Sequence, residues 1–274
     1  MIIDVHSHDF PDFLAARAIA GMCKVTEGVL WAVGDGTLSN HIDHLELAGI
    51  DLAFSCPIAT KPTQHEAILK RALALLDGIP DPRSASRIVP FASFHPRDPD
   101  VVRHLEEIAA AGIKGVKVHP YYQGYSLTDP SVWPSFEVVA SLGLVVQCHA
   151  GYDVGYPGRY DACGPGPISM LLKKVPGLKF IAAHLGGCAG FPPHATDPLI
   201  DLGCYIDTSA IHRDWCKDEE MRILASWPAD RIMFGTDFPW VHYPEAVRWV
   251  KSVRAERDWD ALFSGNALRL LGKR

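Results

Sequence analysis

No run of Lys and Arg stands out in this 274-residue chain, which carries 26 basic against 32 acidic residues and a formal net charge of −6. A nucleic-acid partner is therefore not expected, because neutralising phosphates needs a dense basic face. Nor does any apolar run reach the roughly 18 residues that a membrane-crossing helix needs, so no membrane partner is expected either. Charged Asp4 and two histidines occupy the first eight residues, where the apolar part of a secretory signal would lie. The seven cysteines are scattered without a CxxC pair, which reads as reduced, mostly buried thiols in a cytoplasmic protein. Also missing are an interdomain linker and a Gly-rich phosphate loop after the first strand. A doubly wound nucleotide-binding sheet would want that loop, but here the strand ends in His-Ser-His.

What is present is alternation. Short β-branched runs at 1–8, 51–58, 87–96, 112–120, 143–151, 179–187, 204–210 and 231–239 alternate with longer helical patterns. Such alternation signals parallel β/α units. Helical spacing places Ile42, Leu45 and the Leu47–Ala48 pair on one apolar side of 39–48, and Val102, Leu105 and Ile108 on that of 99–111. Further helices are expected at 165–175, 218–227, 244–256 and 266–271. Eight units at roughly 34 residues each suit a closed α/β TIM barrel, (β/α)8, forming a single domain over 1–274.

In such barrels the chemistry sits at the C-terminal ends of the strands. Those ends carry His6 and His8, then Lys117 and His119, His149, His184 and Asp237. Residues two apart on a strand share a face, so His6 and His8 point inward together, as do Lys117 and His119. Taken singly, each has a plainer explanation: a core histidine with satisfied hydrogen bonds, or an Asp capping a Gly-Thr-Asp turn. Their joint placement at successive strand ends argues for one site. Imidazoles with a carboxylate are the ligands that zinc and related divalent ions take, and a metal-activated water would supply hydroxide near neutral pH.

The ordered motifs HSH (6–8), CHAG (148–151), AHLGG (183–187), FGTDFPW (234–240) and SGNA (264–267) resemble the amidohydrolase superfamily. More narrowly they resemble its amidohydrolase-related branch of metal-dependent hydrolases and aminocarboxymuconate-semialdehyde-type decarboxylases. The similarity runs over essentially the whole chain. With the first motif at residue 6, no flanking β-sandwich of the dihydroorotase or urease kind is expected. The resemblance implies His6, His8, His149 and Asp237 as ligands of a principal divalent metal, most simply zinc. It also implies Asp237 as the proton shuttle and His184 as a second catalytic group, or as a ligand of a second metal. Lys117 matches the position that bridges two metals as a carbamate in binuclear members, and the alternative is a plain amine.

Substrate contacts are expected from His119, Tyr152, Asp153, Arg159 and Trp240, with Tyr160 and His242 as further loop candidates. His41 and His44 are expected on a solvated helix face, and His95 in a structural turn. The first functional reading is hydrolysis of a lactone, ester or amide in a small carbonyl compound by metal-activated water. The alternatives are non-oxidative decarboxylation of an unsaturated or aromatic acid, with Arg159 or Arg213 as a carboxylate clamp, and an inactive metal-binding barrel. A monomer or a homodimer is expected.

Overall fold

The computed structural model describes residues 1–156, 158, 160–209 and 217–273, and places them in a TIM barrel. The strands are β1 (Ile3–Ser7), β2 (Leu52–Ser55), β3 (Ile88–Pro90), β4 (Ala92–Ser93), β5 (Gly115–Val118), β6 (Val145–Cys148), β7 (Lys179–Ala182), β8 (Tyr205–Asp207) and β9 (Ile232–Met233). All neighbours pair in parallel. β3 and β4 are two pieces of one staves-worth of chain, so nine segments fill eight barrel positions. Closure comes from Val5 N–H donating to Phe234 O at 2.9 Å, Asp237 N–H to His6 O at 2.7 Å and His8 N–H to Phe238 O at 2.7 Å.

Strand alternation divides the core in two. Val116, Val118, Val146, Cys148, Phe180, Ala182 and Ile206 face outward and pack with helix residues such as Leu105, Ile108, Phe136 and Leu171. The opposite parity supplies Val145, Ile181 and Met233 to an inner cluster with Ile3, Val5, Phe54 and Phe91, closed below by Ala267 and Leu270 of the last helix. Burying each large aliphatic side chain is worth about 1.5–3 kcal/mol, so this floor anchors the strands whose upper ends carry the chemistry.

Simple alternation fails once, in β1. The pairing of β1 with β2 shifts between Asp4 and Ser7, and Val5 joins the inner cluster although His6 is also turned toward the site. A bulge of this kind re-aims side chains next to active sites. Buried Asp4 holds it, accepting from His6 N–H (3.0 Å), Thr236 N–H (3.0 Å) and Thr236 Oγ1 (2.6 Å).

Several helices match the sequence reading closely, including Leu38–Ala48, Val101–Ala110, Pro165–Lys174, Lys217–Ser226, Tyr243–Val253 and Asn266–Leu270. Two assignments of apolar faces need correction. Leu47 is 87% exposed and Val102 49%, while Ile42, Leu45, Leu105 and Ile108 are buried, so the stripes are narrower than the spacing suggested. His41 is also corrected: it is fully buried, its Nε2 2.9 Å from Tyr243 Oη and its ring stacked on Phe238. His44 is half-buried against the same phenylalanine. Three further helices, Asp12–Val25, His65–Leu76 and Trp133–Ser141, complete the main outer elements among the described residues. The first is an addition, since Leu38–Ala48 already follows it before β2.

Candidate active site

Three ligand-capable groups converge at the top of β1 and the end of the β9 segment. His6, His8 and Asp237 each place a donor atom within 4.8 Å of the others. His8 Nε2 lies 3.1 Å from Asp237 Oδ1 and His6 Nε2 lies 3.5 Å from the same oxygen. The far side of each ring is already committed. His8 Nδ1 donates to Cys56 O at 2.8 Å, and His6 Nδ1 donates to Asp207 Oδ2 at 3.0 Å. Both Nε2 atoms are thereby left as lone pairs.

Burial, followed by the nearby Lys117 charge, pushes the His6 imidazole down to about 4. Burial alone would raise the Asp237 carboxyl, but His6, His8 and His184 hold it well below the usual range. Two imidazole nitrogens converging on one carboxylate form a donor set that suits a divalent cation. The residues therefore fit a divalent metal. Lys117 Nζ donates to His6 Nε2 at 2.7 Å, so the lysine competes for the lone pair that a metal would use.

His149 stands elsewhere in the cluster than the motif reading placed it. Its Nδ1 lies 3.1 Å from His184 Nε2, its ring stacks on His119 with centroids 4.0 Å apart, and its buried Nε2 has no hydrogen-bond partner. Together with His119 and Asp153 it makes a second group whose donor atoms lie within 4.8 Å. His119 Nε2 is 3.1 Å from Asp153 Oδ2, and His149 Nε2 is 3.9 Å from it. Burial holds both imidazoles well below their ordinary value. His119, His149 and Asp153 are thus one group able to hold a second cation, and His184 with His6 and Asp207 forms another.

Reasoning from strand ends missed Asp207, which organises the centre. Fully buried at the end of β8, it accepts from the His6 ring, Gln147 Nε2 (2.6 Å), Ser209 Oγ (2.6 Å), and the backbone N–H groups of Ser209 and His184 (both 3.0 Å). Burial opposes its charge, yet His6 and these donors hold the carboxyl well below its usual range. The signal was present: Asp207 ends an apolar strand, as the recognised residues do.

Backbone geometry sets the other side. The chain leaves β7 at Ala182 and turns left-handed through His184 (φ 56°), Leu185 (φ 51°), Gly186 (φ 74°) and Gly187 (φ 72°), rather than continuing as a strand to 187. Asp237 is also left-handed at φ 64°. Such conformations cost of order 1–3 kcal/mol for residues with a Cβ and persist only where surroundings enforce them. The Asp207 carboxylate gripping His184 N–H is one such enforcement.

The cluster opens into a cavity of ≈ 1010 Å³. Lys117, His119, Tyr152, Asp153 and Trp240 all line it. His242 is exposed and Tyr160 is 57% exposed, and neither lines it. His95 is buried, with Nδ1 accepting from Arg97 N–H, as a structural turn requires. Arg159 and Arg213 lie outside the described residues.

The family model described as amidohydrolase matches residues 79–273. A 2-amino-3-carboxymuconate-6-semialdehyde decarboxylase of Dictyostelium discoideum is 25% identical over 200 residues, which cover 60% of this chain and 55% of that one. The matched region thus spans about half of that relative's length. A dihydroxybenzoic acid decarboxylase of a Polaromonas species, solved with bound manganese and 2-nitroresorcinol, superposes with a TM-score of 0.69 at 18% identity, covering 99% of this chain and 96% of the other. A probable 2-pyrone-4,6-dicarboxylic acid hydrolase of Acinetobacter baumannii gives 0.67 at 16% identity over 99% of each chain. The strand-end histidines, the closed barrel and the family match agree, and the chain belongs to the amidohydrolase family, in its amidohydrolase-2 branch.

Proposed function

We propose that this chain catalyses the metal-dependent, non-oxidative decarboxylation of an unsaturated or aromatic carboxylic acid. The observation that carries the reading is the likeness to the Dictyostelium decarboxylase. It is supported by a cavity whose floor combines a carboxylate with neutral imidazoles. The hydrolytic reading that the motifs first suggested shares this fold with the probable pyrone hydrolase and is the less supported of the two. His6, His8 and Asp237 would hold a divalent ion, which would supply Lewis acidity next to a substrate oxygen. Zinc and manganese both accept such imidazole and carboxylate donors; zinc is the expected ion.

Decarboxylation breaks the bond between the substrate carbon and its carboxylate, and the electron pair stays on the carbon side, spread over the unsaturated system. Carbon dioxide leaves and a proton takes its place. Water is the source of that proton, and Asp237, beside His8 and His6, is proposed to take it up and hand it to the vacated carbon. His184, 3.1 Å from His149 and 2.8 Å from Ser209 Oγ, is proposed to orient the substrate over it. Tyr122, stacked on His119, and Trp240 both line the cavity and are proposed to pack against a planar substrate.

The test is turnover of unsaturated and aromatic acids by metal-loaded protein in heavy water. Carbon dioxide release with one deuterium at the vacated carbon is expected. Oxygen-18 from labelled water in a ring-opened or cleaved product, without carbon dioxide, would replace this reading with the hydrolytic one.

A further inference from the structure

The helix Asp12–Val25 is inserted between β1 and the helix Leu38–Ala48, directly after the strand that carries His6 and His8. Its side chains at positions 14, 18 and 22 fall on one stripe at helical spacing, and Leu14, Ala18 and Met22 all line the cavity over the histidine cluster. All three are half-buried. Phe13, at the mouth of the same cavity, is 88% exposed. Ile58, in the loop after β2, and Ile68, in the helix His65–Leu76, line the same cavity, and both are half-buried as well.

The floor and the helix wall of the cavity are chemically distinct, and the charged Asp9–Arg71 pair is also among its lining. The floor holds the imidazoles, Lys117 and Asp237, where an acid group and its proton exchange belong. The wall made by the inserted helix is apolar and only partly covered. At ≈ 1010 Å³ the space lies at the upper limit of small-molecule sites, roughly 300–1,000 Å³, and a single-ring acid seated on the floor would leave the apolar wall wet. Uncovered apolar surface of this kind is what a ligand's own apolar part stabilises by displacing water.

We propose that the substrate is an acid bearing an extended apolar substituent, and that Phe13, Leu14 and Met22 set this specificity. The assignment rests on the decarboxylase reading for the acid end and on the inserted helix for the tail.

The experiment measures calorimetric affinity and turnover of metal-loaded protein with 2-hydroxybenzoates carrying hydrogen, propyl or hexyl at ring position 4 or 6. A buried methylene is worth about fourfold in affinity, so the better series should tighten by at least twofold per methylene. Phe13→Ser, and separately Leu14→Gln with Met22→Gln, should flatten that dependence. Thermal melts identify any variant that fails to fold, and Phe13→Ser alters a side chain already exposed. Affinity independent of chain length in both series overturns the inference. So does a dependence undiminished in the folded variants. Chain-length-dependent binding without carbon dioxide release from any member overturns the decarboxylase reading and leaves the apolar specificity standing.

Discussion

Asp237 and His184 meet the same cluster but have different tasks, which substitution separates. Asp237→Asn keeps the size and one ligand oxygen but removes the charge and the ability to carry a proton. Turnover per bound metal should fall about 10²–10⁴-fold, the usual worth of general acid–base catalysis. Near-normal turnover per metal would reduce Asp237 to a ligand in a tight turn. His184 is not among the His6, His8 and Asp237 group, although it shares His6 with Asp207 in another, so His184→Ala should cut turnover while elemental analysis still finds the metal. A metal-free variant protein would place His184 among the principal ligands. Asp207 belongs to this scale too. Asn in its place keeps one acceptor oxygen and turns the other into an NH2 donor, so it cannot both fix the His6 tautomer through Oδ2 and anchor His184 N–H through Oδ1. Asp207→Asn should therefore lower both metal affinity and turnover, checked by chelator competition alongside kinetics. Unchanged metal affinity would mean that His6 keeps its orientation without it.

At the scale of elements, the turns after β6 and β7 touch through glycine. A Cβ on Gly187 would meet Gly151 N at 2.2 Å and Ala150 C at 2.5 Å, and its φ is 72°. Backbone cannot yield there as a flexible side chain would. Gly187→Ala should cost several kcal/mol, in the range known for overpacking combined with a strained φ. Gly166→Ala, in a helix where a new Cβ meets nothing within 4 Å, serves as the control and should be neutral or slightly stabilising. Denaturant titration of the two variants checks the contrast, and equal stabilities would mean that the two turns can separate freely. The same contact explains why the AHLGG motif reads poorly as a strand. Its glycines permit the close approach that brings His149 and His184 within 3.1 Å, and period-two reasoning has no term for it. The β1 bulge is a similar case. Parity predicted that His6 and His8 face inward, but the local shift and the Asp4 contacts that hold it involve Thr236, 232 residues away.

For the whole molecule, metal and fold should be linked. Lone pairs of His6 and His8 converge on the Asp237 carboxylate from opposite ends of the chain, so an ion bound there bridges the closing seam of the barrel. Binding to the native state alone stabilises by about 2.7 kcal/mol at a free concentration a hundred times the Kd. Removing metal with chelator should lower the melting temperature, and adding zinc or manganese should restore it. A melt indifferent to both would show that the native site holds no ion of either kind. No helix among the described residues is long and apolar enough to cross a membrane, in keeping with the absence of long apolar runs.

The sequence by itself determined the barrel and the family. Alternating short strands and amphipathic helices admit few architectures, and a strand's end is visible where apolar residues give way to His or Asp. It also made His6, His8, His119, His149, His184 and Asp237 candidates for one neighbourhood. Only the tertiary structure shows how they group: His6 and His8 near Asp237, His6 and His184 near Asp207, and His149 beside His119 and Asp153. It alone revealed His41 in the interior beside Tyr243, Asp207 at the centre of the network, and the inserted helix forming an apolar wall. The physical reason is one of range. Period and parity describe which way a side chain points from its own backbone, whereas partners across the barrel depend on strand register, bulges and left-handed turns set by contacts distant in sequence.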